Sequence, residues 1–310
     1  MKNNIINTDS LEIFKNNVYQ KHDIGYVSNN AYLSVVATNK CQRNCFYCIN
    51  SDTDKKSDIP INKSVKNIQK LTNKYKIKET IILGGEPLLH NNIFDLIYKL
   101  KNKTKLETVR ITTNGIKLKN NEEFIEKLIY TGIDGINISY HNEDFMKLYE
   151  LKWVYKTIKK YNKNIKVRIN TNIWKGNNDT LNSLLNMVGT LNFADEIRIS
   201  NLIRKDSFSV NSINNKLKDN LILSNEKYIN LFNKIINYYS KTHTLINNDK
   251  TLGFVRYILI PSPVPIIINW NINSDVSKQI CENHNREINT FKCLINGEVS
   301  LSWNTNHIIK

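Results

Sequence analysis

The chain has 310 residues, of which 40% are hydrophobic, and a formal net charge of +16. It is long enough to bury a sizeable core, and its lysines are scattered without the basic run that would mark a nucleic-acid partner, so we do not expect one. No apolar signal segment opens the sequence, and the apolar stretch 253–270 contains an arginine and three prolines, so we expect neither export nor a membrane span.

From residue 31 onward, short apolar runs of the β type alternate with apolar residues at helical spacing. The predicted strands are 32–38, 80–83, 108–112, 135–139, 165–173 and 196–200. The predicted helices lie around 61–75, 93–100, 124–129, 145–161 and 181–188. Such alternation predicts parallel strands joined by crossover helices. Six units, without a seventh and eighth, predict an α/β fold of the partial (β/α)6 TIM-like barrel type, with its active site at the C-terminal strand ends.

The sequence divides into three predicted parts. Residues 1–30 form an N-terminal extension, and residues 31–205 form the barrel. Residues 206–310 begin with a polar linker, continue with apolar residues at helical spacing near 228–239, and end in strand-like runs with turn signals. We therefore expect a small C-terminal α+β cap after the barrel.

The most informative residues are Cys41, Cys45 and Cys48, which form a C-x3-C-x2-C run directly after the first predicted strand. Thiolates at this spacing could bind three irons of a [4Fe–4S] cube and leave the fourth iron without a protein ligand. Electron-transfer clusters, in contrast, normally take four cysteines. The alternatives are structural cysteines or a zinc site, although zinc sites favour two separated C-x2-C pairs. Only five cysteines occur, three of them in this loop, which favours a reducing cytoplasm over a disulfide framework.

Polar motifs also follow the next predicted strands, at the edge of the sheet where the strand ends gather. In chain order they are Gly84-Gly85-Glu86-Pro87, Thr112-Thr113-Asn114-Gly115, Ser139-Tyr140-His141, and Arg168 with Asn170. Gly84 and Gly85 permit close backbone approach, and the Glu86 carboxylate can accept hydrogen bonds from an ammonium group. Arg168 and Asn170 alternate along one strand, so both point to one face. The alternative for each motif is an ordinary turn, strand-end or surface role.

Taken together and in this order, the motifs resemble the radical S-adenosylmethionine (SAM) superfamily over residues 31–205. The nearest branch contains the molybdenum-cofactor GTP cyclases and the SPASM-domain enzymes. The segments that carry the resemblance are 83–89, 112–115, Val167-Arg168-Ile169-Asn170, Lys175-Gly176-Asn177-Asn178 and Glu196-Ile197-Arg198-Ile199. It covers a little over half of the chain, and Arg168 stands where a lysine is common.

The resemblance implies an enzyme with a [4Fe–4S] cluster and SAM as cofactors. Cys41, Cys45 and Cys48 would hold the cluster, and the amino and carboxylate groups of SAM would chelate its open iron. The other implied SAM-binding residues are Gly84, Gly85 and Glu86 at the amino end, Tyr47 at the adenine, Ser139 at the ribose or carboxylate, Asn170 with Asn201, and Arg168 at a carboxylate or anionic substrate group. A reductase such as flavodoxin or ferredoxin would supply the electron. SAM cleavage would then give methionine and a 5′-deoxyadenosyl radical, which abstracts hydrogen from the substrate.

The C-terminal segment resembles SPASM and twitch segments, which carry auxiliary clusters on a β-hairpin. Cys281 and Cys293 are present, but Ser302 stands where a further cysteine is expected. We therefore predict a degenerate hairpin around Gly297 that caps the barrel mouth and shapes the substrate pocket without an auxiliary cluster. The alternatives are an open site formed by Cys281, His284 and Cys293, and a thiol that donates hydrogen to a substrate radical.

The sequence leaves the substrate open. The SPASM-like tail favours a peptide or peptide-like substrate, while the cyclase-like core and the positive charge favour a nucleotide or other small metabolite. The alternative of a different class is a non-catalytic iron–sulfur or redox protein. The Gly84–Pro87 motif speaks against that class, because such a protein needs no site for the amino group of SAM.

Overall fold

The computed structural model describes residues 19–48, 56–141, 146–202, 219–239, 244–251, 254–260, 266–271, 287–301 and 308–309, and its strands join into one sheet. The strands are β1 (Tyr19–His22), β2 (Gly25–Thr38), β3 (Glu79–Gly84), β4 (Thr108–Thr113), β5 (Gly135–Ser139), β6 (Lys166–Ile173), β7 (Glu196–Asn201), β8 (Thr244–Thr251), β9 (Phe254–Ile260), β10 (Ile266–Asn271), β11 (Glu287–Cys293) and β12 (Val299–Ser300). The helices are α1 (Ile61–Lys74), α2 (Ile93–Lys103), α3 (Glu122–Tyr130), α4 (Leu148–Tyr161), α5 (Leu181–Thr190) and α6 (Asn225–Tyr239).

Strands β2 to β7 lie side by side in chain order, and every neighbouring pair is parallel. A helix follows each of them in the chain, so the predicted partial barrel of six βα units is confirmed. One boundary differs: β2 begins at Gly25, inside the segment predicted as an N-terminal extension, and β1 pairs with it. The linker predicted for 206–226 lies mostly outside the described residues.

The hydrophobic core lies between the sheet and the helices. It follows from the spacing of apolar residues, which alternate along the strands and recur at helical intervals along the helices. Along β6, Val167, Ile169 and Ile173 lie fully buried on one face of the strand. Helix α1 buries Val65, Ile68 and Leu71 at helical spacing. Each such side chain stabilises the fold by about 1.5–3 kcal/mol. The alternate strand residues face the inside of the barrel, where polar side chains are available for a site.

The C-terminal segment extends the sheet at both edges. Strand β10 is parallel to β7, with Ile266 opposite Ile197, and β9 and β8 follow it antiparallel. Strand β11 is parallel to β2, with Cys293 opposite Val35. The sheet therefore contains eight consecutive parallel strands, two more than the βα units supply. The division of the chain into three domains stays a prediction.

The predicted hairpin is formed by β11 and β12, which pair antiparallel across a turn at Gly297. Gly297 has a φ of +81°, a left-handed conformation that favours glycine. Its carbonyl accepts a hydrogen bond from the side chain of Asn67 on α1 at 2.9 Å. The hairpin thus rests against α1 at the edge of the sheet. Cys281, His284 and Ser302 lie outside the described residues.

Candidate active site

The three cysteines of the C-x3-C-x2-C run lie in the loop that leaves β2, and all three are partly exposed. The backbone N–H of Cys48 donates to the carbonyl of Cys45 at 3.1 Å, and the N–H of Arg43 donates to the Cys41 sulfur at 3.4 Å. Cys41, Cys45 and Cys48 all line one cavity of about 360 Å³ at the C-terminal ends of the parallel strands. The loop therefore brings the three thiols to the end of the barrel where an active site is expected.

These thiols fit a [4Fe–4S] cluster. The described residues contain no group of three His, Cys, Asp or Glu side chains that could bind a single metal ion. A cubane cluster needs no such grouping, since each of its cysteine ligands binds a different iron. Asn170 lines the cavity beside the cysteines, and its buried Oδ1 has no hydrogen-bond partner among the described residues. A bound molecule with a donor group would satisfy that oxygen.

Gly84 and Gly85 pack the end of β3 directly against the start of the cysteine loop. The N–H of Gly85 donates to the carbonyl of Thr38, and the N–H of Glu86 to the carbonyl of Lys40, each at 2.7 Å. A Cβ atom on Gly84 would lie 2.3 Å from the carbonyl oxygen of Thr38, and one on Gly85 would lie 2.4 Å from that of Lys40. The predicted close backbone approach is therefore present, and it occurs between the end of β3 and the start of the cysteine loop.

Glu86 is 1% exposed, and its carboxylate joins the ends of β3 and β4. Its Oε1 accepts from the Thr113 hydroxyl at 2.6 Å and from the N–H of Leu88 at 3.1 Å, while Oε2 accepts from the N–H of Asn114 at 2.7 Å. Burial raises the pKa of this carboxyl, although the three hydrogen bonds act in the opposite direction. The sequence predicts a contact with the ammonium group of SAM, which stays a prediction, while the structure shows internal partners for both oxygens.

We expect Glu86→Ala to weaken SAM binding at least tenfold while the cluster remains bound. The change leaves two buried N–H groups and one hydroxyl unsatisfied, which costs on the order of 2–4 kcal/mol in unfolding free energy. Equilibrium dialysis against SAM, iron analysis and denaturant unfolding measure the three effects. Glu123→Ala is the matched control, because Glu123 is exposed on α3. Unchanged SAM affinity and unchanged 5′-deoxyadenosine formation in Glu86→Ala would remove the assigned role.

A second network fixes the chain just before Cys41. The Asp58 carboxylate accepts from the Thr38 hydroxyl at 2.6 Å and from the Lys40 ammonium at 2.7 Å. The backbones of Thr38 and Asp58 also form an antiparallel bridge. The network pins both ends of the segment that contains the three cysteines, which reduces the conformational entropy lost when a cluster binds.

Ser139 and Asn170 line the same cavity from neighbouring strands, and the register places them opposite each other. Asn201, at the end of β7, lines it as well. The structure thus brings these three predicted residues together with the cysteines. Their assignment to SAM stays a prediction.

Arg168 is placed differently from the other predicted residues, because it does not line this cavity. Its Nε donates to Glu196 Oε2 at 2.6 Å, and Arg110 Nη1 reaches the same oxygen at 3.4 Å. Burial raises the pKa of Glu196, but the two guanidinium groups outweigh it and hold that pKa below its usual range. This ion cluster lies two residues before Asn170 on β6, toward the end of the barrel opposite the cavity. Arg168 therefore ties β6 to β7 beneath the cavity.

Tyr47 is held in place by aromatic side chains from two other loops. Its ring stacks on Trp174 with centroids 5.3 Å apart, and it meets His141 edge-on at 5.1 Å. Phe46 contacts both Tyr47 and Trp174 edge-on. Burial raises the pKa of Tyr47 above its ordinary value. These contacts fix the stretch between Cys45 and Cys48.

Several cavity residues were missed by the sequence reasoning as binding residues. They are Arg43, Leu83, Thr112, Thr113, Asn114, His141, Asn172, Arg198, Ser200 and Leu202. Four of them, Thr112, Thr113, Asn114 and His141, belong to motifs that the sequence places at strand ends, but no binding role was given to them. A further signal existed for three others: Asn172 continues the alternation of Arg168 and Asn170 on β6, and Arg198 and Ser200 alternate on β7. Extending the two-residue period to the strand end would have found them.

The hairpin does not contribute to the cavity within the described residues, since none of 287–301 lines it. Cys293 is fully buried, and burial raises the pKa of its thiol to about 12. Within the described residues the hairpin therefore stays apart from this cavity, because β11 pairs with β2 and the Cys293 thiol contacts Ser64 on α1. The role of the C-terminal segment as a cap stays a prediction.

Comparison with known proteins agrees with the geometry. The family model of the radical SAM superfamily matches residues 35–191, a little over half of the chain. The chain belongs to the radical SAM superfamily. Its cofactors are therefore a [4Fe–4S] cluster and SAM, and it is a radical SAM enzyme, as the sequence predicts.

Two curated relatives indicate the branch. Over 170 residues the chain is 31% identical to a GTP 3′,8-cyclase of Clostridium perfringens, which covers 50% of this chain and 51% of the relative. Over 108 residues it is 34% identical to a probable GTP 3′,8-cyclase of Methanocaldococcus jannaschii, covering 34% and 35% of the two chains. The chain thus spans about a third to a half of the length of these relatives.

Solved structures support the fold. SuiB of Streptococcus suis, bound to SAM, superposes with a TM-score of 0.60 at 15% identity, covering 89% of this chain and 61% of SuiB. The protein anSMEcpe, bound to SAM and a peptide, superposes with a TM-score of 0.51 at 13% identity, covering 68% and 60%. At such identities the likeness shows the fold alone. In the described part of the chain, no helix is both long and apolar enough to cross a membrane.

Proposed function

We propose that this radical SAM enzyme acts on an anionic small molecule of the nucleotide type. The observation that carries the proposal is the charge of the cavity. Arg43 and Arg198 line it, whereas its acidic residue, Glu86, is buried and bonded internally. Guanidinium groups suit phosphate and carboxylate ligands. The two curated relatives named GTP 3′,8-cyclase support the same substrate class.

Different residues around the cavity would bind the cluster and SAM. Cys41, Cys45 and Cys48 would hold the cluster, which when bound supplies the electron that cleaves SAM. Ser139 and Asn170 offer a hydroxyl and an amide to the hydroxyl or carboxylate groups of SAM. The protein's contribution is to place the bound molecules and to keep water away from the reacting atoms.

A peptide substrate, predicted first from the tail, has less support. It rested on the resemblance of the tail to SPASM segments, and the described part of the hairpin in that tail lines none of the cavity. The structural neighbours bound to peptides are 13–18% identical to this chain, which is a likeness of fold. The nucleotide alternative therefore becomes the main proposal.

We also propose a low-potential protein such as flavodoxin or ferredoxin as the electron donor, in the cytoplasm. The cysteine loop supports this, because Gln42 and Asn44 are exposed between partly exposed cysteines. A docked donor could therefore approach the loop closely.

The substrate proposal is tested with anaerobically reconstituted protein, reductant, SAM and each of the four ribonucleoside triphosphates. We expect one of them to stimulate 5′-deoxyadenosine formation several-fold over SAM alone. When that nucleotide is uniformly deuterated, deuterium should appear in the 5′-deoxyadenosine. SAM cleavage that no nucleotide stimulates, with no deuterium transferred, would contradict the nucleotide substrate and leave the family assignment intact.

A further inference from the structure

His141 is a cavity residue to which no role has been assigned. It lies two residues beyond the end of β5, is 7% exposed, and lines the cavity together with Ser139 and Asn172. Its Nδ1 accepts a hydrogen bond from the backbone N–H of Asn172 at 3.0 Å. The ring is therefore attached to β6 by one nitrogen while the other remains available.

The hydrogen bond to Nδ1 decides which nitrogen carries the proton. A neutral imidazole has one donor and one acceptor nitrogen, so an accepting Nδ1 leaves the hydrogen on Nε2. Burial lowers the pKa of His141 to about 4, which keeps the ring neutral at physiological pH. No residue in the described part of the chain accepts a hydrogen bond from Nε2, and Nε2 is not among the sealed polar atoms of the interior. This N–H is therefore open to a molecule in the cavity.

The donor also has a fixed direction. The ring of Tyr47 meets His141 at 5.1 Å with an interplanar angle of 88°, and Trp174 meets it at 6.2 Å and 74°. With Nδ1 bonded as well, the imidazole is held by two aromatic rings and one hydrogen bond. A donor fixed in this way loses little entropy when it binds a ligand.

The neighbouring groups indicate the kind of ligand. Ser139, whose hydroxyl can donate or accept a hydrogen bond, lines the same cavity. A ligand that meets both groups must offer an acceptor to His141 and a second polar atom to Ser139. Together with the ring of Tyr47, which also lines the cavity, this combination fits a nucleoside, with its heterocyclic nitrogens and ribose hydroxyls. We propose that His141 binds a nucleoside in this cavity by donating its Nε2–H to an acceptor atom of the ligand.

This inference rests on the proposed function, which supplies two nucleosides: the adenosine part of SAM and the nucleotide substrate. Three substitutions isolate the donor. His141→Asn keeps an acceptor near the Nδ1 position and lacks the Nε2 donor, whereas His141→Gln places an amide N–H near the Nε2 position. His141→Phe keeps a flat ring against Tyr47 without any donor.

His90 provides the matched control. It is buried, and its Nδ1 also accepts a backbone N–H, that of Asn92 at 3.0 Å. Its Nε2, however, faces the carbonyl of Ile59 at 3.5 Å, and it does not line the cavity. His90→Asn therefore makes the same chemical change outside the ligand's reach.

The experiment measures equilibrium binding of SAM alone, and then of GTP with SAM present, to anaerobically reconstituted protein of verified iron content. His141→Asn and His141→Phe should bind one of the two ligands about five- to tenfold more weakly. His141→Gln and His90→Asn should stay within about twofold of wild type. A loss for SAM identifies its adenosine as the ligand, and a loss confined to GTP identifies the substrate.

Equal affinities for both ligands in all of these variants would overturn the role of His141. So would a His141→Gln protein that binds as weakly as His141→Phe, since its donor would then have no effect. If His141→Asn does not fold, His141→Phe and His141→Gln still give this comparison. Failure of the proposed function looks different, because the wild-type protein itself would then not bind the ligand.

Discussion

Replacing Cys41, Cys45 and Cys48 together by alanine should abolish cluster binding and all 5′-deoxyadenosine formation. The wild-type protein, reconstituted anaerobically, should carry about four irons per chain, the content of one cube. The three thiols lie in one loop and line one cavity, so their removal leaves that cavity without thiolate ligands. Iron and sulfide analysis, the visible absorption spectrum and chromatography of the reaction products measure the loss.

The control for this result is the double variant Cys281→Ala/Cys293→Ala. Cys293 is fully buried, and its raised pKa of about 12 keeps the thiol protonated, which makes it a poor iron ligand. The double variant should keep the iron content and the SAM cleavage of wild type. A full cluster in the triple variant would move the cluster site to the C-terminal segment. A loss of about two to four irons in the double variant would show an auxiliary cluster in that segment.

Substituting Gly85 by alanine should have the second largest effect, reducing both SAM binding and cluster content more than tenfold. The added Cβ would lie 2.4 Å from the carbonyl oxygen of Lys40 and 2.7 Å from that of Asn39. Both neighbours are backbone atoms directly before Cys41, so the cysteine loop itself must move. Overpacking of this kind costs about 1–3 kcal/mol in stability, and the displaced loop carries the cluster ligands. Iron analysis and equilibrium dialysis against SAM measure the two effects.

Gly189→Ala is the matched control, because no atom lies within 4 Å of the position of its Cβ. Gly189 is near the end of α5, where alanine is favoured over glycine by up to about 1 kcal/mol. This variant should bind SAM like wild type and unfold at a slightly higher denaturant concentration. A Gly85→Ala protein with wild-type iron content and SAM affinity would show that the close approach of β3 to the loop is unimportant.

The barrel could be predicted from the sequence because its signals are local. Strand β6 alternates buried and less buried residues, and α1 buries Val65, Ile68 and Leu71 at helical spacing. The two additional parallel strands could not be predicted in this way. The pairing of β11 with β2, and of β10 with β7, joins segments far apart in the chain. The spacing of apolar residues within one segment gives no information on which distant segment it pairs with.

The candidate site was predictable where residues lie at or just after the end of a strand, as Ser139 and Cys41 do. How far along the barrel axis each side chain lies was not predictable from the sequence. Arg168 and Asn170 share a face, yet Arg168 lies opposite Glu196 and binds it below the cavity. His141 was named only as part of a strand end, because its hydrogen bond to the backbone of Asn172 depends on how two loops pack.

We expect one cavity to hold both the cluster and SAM, with SAM at the iron that the three cysteines leave open. Electron paramagnetic resonance of the reduced, reconstituted protein, recorded before and after addition of SAM, is the decisive test. The protein should give the signal of one reduced [4Fe–4S] cluster per chain, with g values that change when SAM is added. A cluster signal that stays unchanged at saturating SAM would contradict SAM binding at the open iron.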